Sequence, residues 1–201
     1  MKPYVLYIHG KNGTPTEADH YKSLFRDCEV IGLDYRAATP WEAEKEFGDA
    51  ARAIRAKCDR LILIANSLGA YFSMCAGLDA FVEKAYFISP IVDMEQLIRD
   101  IMRFSNISES ELQEKKVIPT AFGEDLSWAY LSYVRTHPVK WSAPTEILFG
   151  SEDKLTSFET VSAFAATHGA RLTVMQGGEH WFHTAAQMDF LDDAILRFFK
   201  D

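Results

Sequence analysis

Cysteine is scarce in this chain: 201 residues hold three, Cys28, Cys58 and Cys75. The number is odd, the spacing is wide and no Cys-x-x-Cys occurs, which argues against a disulfide framework or a zinc site. The three thiols read as small hydrophobes in a reducing cytosol. Basic residues are also few. Lys and Arg total 21 against 29 Asp and Glu, for a net charge of −8. Phosphate recognition needs clustered Lys and Arg, and no basic run is present, so nucleic acid is not an expected partner. Long apolar runs are missing too. The run after Met1-Lys2-Pro3 ends at His9-Gly10, too short for a signal peptide or a bilayer span. No later segment spans a bilayer, so no membrane partner is expected and the chain reads as cytoplasmic. Internal repeats and low-complexity segments are absent.

What remains is ordinary globular composition, 48% hydrophobic and 25% charged, at a length that suits one domain with a full core. Apolar runs of strand length alternate with helical patterns. The spacing predicts strands at Tyr4–Ile8, Val30–Leu33, Leu61–Ala65, Ala85–Ser89, Glu146–Phe149 and Leu172–Met175. Leu61-Ile62-Leu63-Ile64-Ala65 is the most apolar, as a strand buried on both faces should be. Between strands, Ala43, Phe47, Ala50, Ala51 and Ile54 repeat at helical spacing. Thr39-Pro40-Trp41-Glu42 opens that helix with a capping box and an early proline. Thr156-Ser157-Phe158-Glu159 is read as the same device, with Thr156 as the cap. Thr184 with Gln187 opens the last helix. Alternating strands and helices imply a parallel sheet.

The rhythm breaks between Pro90 and Pro144, where no good strand is found. Met94, Leu97, Ile98, Ile101 and Met102 form one helical stripe. Ser108 with Glu111 boxes a second helix, and Leu126, Tyr130, Tyr133 and Val134 indicate a third. This stretch, about 91–143, is read as a helical insertion within a single domain 1–201.

Chemistry concentrates at strand ends, where parallel sheets place their sites. The third strand runs into Ala65-Asn66-Ser67-Leu68-Gly69, followed by a helical pattern. A serine in a sharp strand-to-helix turn is a nucleophile elbow, with small residues two before and two after it. The helix beyond aims its first amides at the serine oxygen. The first strand ends in His9-Gly10-Lys11-Asn12-Gly13. A glycine-flanked turn there can supply a second oxyanion donor, at the Lys11 amide, beside the first at Leu68. A phosphate loop is disfavoured, since Asn12 follows Gly-Lys where Ser or Thr is needed. The fifth strand ends in Gly150-Ser151-Glu152-Asp153 and the sixth in Gly177-Gly178-Glu179-His180. The order Ser67, Asp153, His180 is that of a nucleophile, an orienting acid and a general base in an α/β hydrolase. Asp93 is the alternative acid. Glu179, His180 and His183 lie close together, but no third metal ligand is obvious. Trp181 and Phe182 are expected in the core, and His9 in a local hydrogen bond.

Ile8-His9-Gly10 with Gly13, Asn66-Ser67-Leu68-Gly69, Gly150-Ser151-Glu152-Asp153 and Gly178-Glu179-His180 together resemble the α/β-hydrolase superfamily, in particular small bacterial serine hydrolases with a helical lid. The resemblance covers nearly the whole chain. It implies a mostly parallel sheet of about six strands flanked by helices, without the family's first two strands, and a lid in the stretch after Pro90. Its elbow departs from the family in having Ala65 where glycine is usual. It further implies a serine hydrolase with the triad Ser67, His180 and Asp153, oxyanion amides at Leu68 and Lys11, no cofactor and no metal. An ester of a neutral, small-to-medium acyl group is the expected substrate, making the chain a carboxylesterase. Thioesterase or peptidase activity on the same triad, or a binding protein that has lost turnover, are the alternatives.

Overall fold

The computed structural model describes residues 1–121 and 125–200. Among them are the strands β1 (Tyr4–Ile8), β2 (Glu29–Gly32), β3 (Leu61–Asn66), β4 (Lys84–Ile88), β5 (Val117–Pro119), β6 (Asp125–Ser127), β7 (Thr145–Gly150) and β8 (Arg171–Met175). The α-helices are α1 (Pro40–Arg55), α2 (Leu68–Cys75), α3 (Met94–Phe104), α4 (Glu109–Lys115), α5 (Trp128–Thr136), α6 (Phe158–His168) and α7 (Ala185–Lys200). No helix among the described residues is long and apolar enough to cross a membrane.

Six strands form one sheet in the order β2-β1-β3-β4-β7-β8, and every pairing in it is parallel. From β1 the chain first builds outward to β2, then returns to place β3 on the other side of β1. Strand order therefore reverses between β1 and β3, and the crevice beyond their carboxyl ends is the place where open α/β sheets bind ligands. Leu61, Leu63, Ile64 and Ala65 are buried in β3, as a continuous apolar run in a central parallel strand requires. One core cluster packs Tyr7, Ile62, Ile64, Tyr86, Ile88 and Leu148 from the sheet with Leu191, Ala194, Ile195 and Phe198 of α7.

The chain folds as two compact units. The first holds Met1–Val92 and Lys140–Asp201, and contains the whole six-stranded sheet. The second, Asp93–Val139, enters the chain between β4 and β7. Within it Arg135 of α5 reaches Glu95 of α3 at 3.0 Å and grips both carboxylate oxygens of Glu109 at 2.6 and 2.8 Å. One guanidinium so ties three helices, using the planar fork that suits a carboxylate. The expectation of helices alone here is corrected: β5 and β6 pair antiparallel, Ile118 opposite Leu126. Three-residue strands carry too little alternation to register as a period, and Leu126, read as helical, lies in β6.

Helix starts follow side-chain chemistry closely. Thr39 accepts from the Glu42 amide at the head of α1, and Glu42 reaches back to the Thr39 amide. Ser108 caps α4 through the Glu111 amide. At α7 the reciprocal pair is Gln187 N to Thr184 Oγ1 and Thr184 N to Gln187 Oε1. The cap of α6 is shifted by one residue from expectation. Ser157, not Thr156, accepts from the Thr160 amide, at 3.1 Å.

Candidate active site

Ser67 follows β3 and immediately precedes α2. Its backbone is at φ 49° and ψ −114°, outside the regions open to most non-glycine residues. Such strain persists only where the surroundings enforce it. Here the Ser67 amide donates to Ile88 O at 2.9 Å and its carbonyl accepts from Ile91 N at 3.3 Å. The helix beyond must pass close under β1. A Cβ on Gly69 would lie 2.4 Å from His9 O and 2.6 Å from Ile8 O, so only glycine permits this approach. The amide of Leu68 lies ahead of the helix's own hydrogen-bond ladder, which begins with Ala70 N and Tyr71 N on Ser67 O at 3.1 and 3.3 Å, and such a helix start lends partial positive charge to the space around Ser67.

The turn after β1 faces the same space. Gly13 N donates to Gly10 O at 3.2 Å, closing a turn whose third residue, Asn12, takes φ 59°. Asparagine tolerates that left-handed conformation better than most residues. Sequence reading missed a brace behind this turn. Tyr7, buried in β1, donates its hydroxyl to Glu17 Oε2 at 2.5 Å, and Glu17 Oε1 accepts from Thr14 N at 2.9 Å. The core is thereby coupled to the loop through one carboxylate. His9 bonds locally, as expected: its Nδ1–H donates to Gly10 O at 2.8 Å, and its ring stacks on Tyr35 at 4.4 Å.

The loops after β7 and β8 bring the remaining groups. His180 Nδ1 lies 2.7 Å from Asp153 Oδ2, and His180 Nε2 lies 2.9 Å from Ser67 Oγ. A carboxylate can only accept, so Nδ1 carries the proton and the Nε2 lone pair is left to accept from the Ser67 hydroxyl. The Asp153 side chain is fully shielded from solvent, whereas His180 is 23% exposed. Burial pushes the Asp153 carboxyl up, but the hydrogen bond and charge of His180 and the amides of Thr156 and Leu155 outweigh it, and the group is held below the usual aspartate range. Asp93, the alternative acid, is occupied elsewhere: it caps α3 by accepting from Gln96 N at 2.8 Å.

A cleft of about 420 Å³ opens over these residues, lined by Gly10, Lys11, Gly13, Asn66, Ser67 and His180, with Leu155 and Trp181 at its side. That is the size range of small-molecule sites. Leu155, His180 and Trp181 also line an adjoining hollow with Glu152, Lys154 and Glu179. Trp181 corrects the expectation of a core position: it is 68% exposed, while its neighbour Phe182 is 5% exposed. The two adjacent aromatics take opposite exposures in this loop, and nothing in their identities tells which one faces inward. Among the described residues no group of three His, Cys, Asp or Glu converges as metal ligands.

No protein-family model matches the sequence. No curated protein matches it either. Solved structures do. Est1E from Butyrivibrio proteoclasticus, in a structure with ferulic acid bound, aligns with a TM-score of 0.78 at 17% identity over 98% of this chain and 88% of that one. Alpha/beta hydrolase domain-containing protein 10 from mouse aligns at 0.73 and 17% over 100% and 90%. The Pyrococcus furiosus esterase Pf2001 aligns at 0.69 and 18% over 99% and 80%. The chain has the α/β-hydrolase fold. Within that fold the elbow, the turn after β1 and the two late loops all lie at the carboxyl ends of their strands, where the strand order reverses or close beside it.

Proposed function

We propose that this α/β-hydrolase-fold chain is a serine hydrolase that cleaves esters of neutral, small-to-medium acyl groups through an acyl-enzyme. The observation that carries the reading is the unbroken relay from Asp153 through His180 to Ser67, at 2.7 and 2.9 Å. In this reading Ser67 Oγ attacks the ester carbonyl as His180 Nε2 takes its proton, and Asp153 holds the imidazole in the right tautomer and stabilises the imidazolium. The amides of Leu68 and Lys11 receive the oxyanion; one such donor is worth about 3–4 kcal/mol in the transition state. His180 then returns the proton to the leaving alcohol. Water, activated by the same imidazole, attacks the acyl-enzyme, and the acid is released with Ser67 restored. The chemistry asks for no cofactor.

Leu155 and Trp181 support the choice of an uncharged acyl or aryl group. Both are exposed large hydrophobics beside Ser67, and covering such surface is worth about 25 cal/mol per Å². Est1E, the ferulic acid complex, offers a precedent for an aromatic acid on this fold. The test is labelling by a fluorophosphonate probe followed by peptide mapping. Wild-type protein is expected to carry the label on Ser67. Ser67→Ala is expected to fold, to take no label and to lose about 10⁴- to 10⁶-fold in kcat on a nitrophenyl ester. Label retained by the alanine variant would overturn the assignment.

A further inference from the structure

Asp153 is held by more than His180. Its Oδ1 accepts from the amides of Leu155 at 2.7 Å and Thr156 at 3.0 Å. Its Oδ2, the oxygen that faces the imidazole, also accepts from Thr156 Oγ1 at 3.1 Å. Because Ser157 caps α6, the Thr156 hydroxyl is committed to the carboxylate instead of the helix. We infer that Thr156 is a positioning residue: its hydroxyl, shared with His180 on one carboxylate oxygen, fixes the acid's rotamer and sets how strongly the acid supports a protonated imidazole. The inference rests on the serine hydrolase reading for its catalytic meaning, though the hydrogen-bond arrangement can be tested without turnover.

Two effects follow from this geometry. A carboxylate bound by amides on one oxygen alone can still swing its other oxygen. The threonine hydroxyl removes that freedom and keeps Oδ2 aimed at Nδ1. Each donor also draws charge from the oxygen it binds. Without the Thr156 hydroxyl, Oδ2 keeps more of its negative charge and favours the imidazolium more strongly. The imidazole then holds its proton to higher pH, and Nε2 becomes available to Ser67 only above that point.

Other charges face the histidine. Glu179 and His183 lie on its own loop, paired at 3.5 Å, and Glu152 and Lys154 on the loop after β7, paired at 3.0 Å. Lys11 and Glu17 stand across the cleft. Thr156→Val keeps the side-chain shape and leaves all of these charges in place, so a shift it causes reports the hydroxyl.

The experiment compares wild type with Thr156→Val, Thr156→Ala and Thr156→Ser. The His180 ring titration is followed by ¹H–¹⁵N NMR, beside the pH profile of kcat/KM on a nitrophenyl ester. Thr156→Val is expected to move both the titration midpoint and the acid limb up by roughly half a pH unit or more, and to lower kcat roughly fivefold with KM little changed. Thr156→Ser is expected to restore both. A valine variant that titrates as wild type overturns the proposal, as does a serine variant that fails to restore. Should valine not fold, alanine carries the same comparison. Failure of the hydrolase reading looks different: wild-type Ser67 takes no fluorophosphonate, whatever His180 does in the titration.

Discussion

Asp153 and Asp93 are the same residue type, each follows a strand, and each was a candidate for the acid; their surroundings separate them. Asp153 is shielded from solvent and spends both oxygens on His180, Thr156 and Leu155. Asp93 spends its Oδ1 on the first turn of α3. Asparagine at position 153 keeps the size but presents an amide to Nδ1, which favours the wrong histidine tautomer, so Asp153→Asn is expected to lower kcat by about 10³- to 10⁴-fold. Asparagine caps helices as well as aspartate does, so Asp93→Asn is expected to leave kcat within about twofold and stability within about 0.5 kcal/mol. The check is kcat for both variants on one ester, with urea unfolding beside it. A greater kcat loss at position 93 would move the acid to the end of β4.

The loops after β7 and β8 behave as one element. Ser151 N donates to Met175 O at 3.0 Å and Glu152 N to Gly178 O at 2.8 Å, while the Ser151 hydroxyl accepts from Gly177 N at 2.8 Å. This zipper sets the spacing of Asp153 and His180, and it closes only because Gly150 has no side chain. A Cβ there would lie 2.3 Å from Gly178 O, a backbone atom that cannot rotate away. Gly150→Ala is therefore expected to destabilise the fold by about 1–3 kcal/mol and to lower kcat by at least tenfold, since small misplacements at a reacting centre are costly. Unfolding in urea and ester kinetics check the two effects; a variant with wild-type kcat would show that the zipper does not govern the geometry. The strands bearing these loops were legible in the sequence because each is a bounded apolar run. Ser67, Asp153 and His180 could be singled out as candidates because each follows such a run, and the structure brings the three together. What stayed hidden has one physical character: it depends on which distant groups meet. The Tyr7–Glu17 brace, the Thr156 hydroxyl and the outward turn of Trp181 leave no periodic trace, and the short β5–β6 pair is below the length at which alternation can be counted.

For the whole molecule, the relevant quantity is the charge of −8. Like-signed substrates meet a repulsive potential on approach, and added salt screens it over a Debye length of about 8 Å at physiological ionic strength. The groups around the cleft do not reverse the sign. Lys11 and Lys154 stand against Glu17, Glu152 and Glu179, and Lys154 is paired with Glu152. An uncharged ester feels none of this. The preference for neutral esters can thus be separated from any preference for chain length by varying ionic strength. Across 20 to 300 mM salt, roughly the range over which the Debye length falls below the width of a small cleft, kcat/KM for a nitrophenyl ester is expected to stay level within about twofold. For an acyl-coenzyme A of the same acyl group it is expected to start lower and to rise severalfold with salt as the repulsion is screened. The measurement is a paired salt series on butyrate and butyryl-coenzyme A. A coenzyme A ester that is turned over faster than the neutral ester at low salt, and slows as salt is added, would reveal attraction to a local basic patch and would favour a thioesterase on the same three residues.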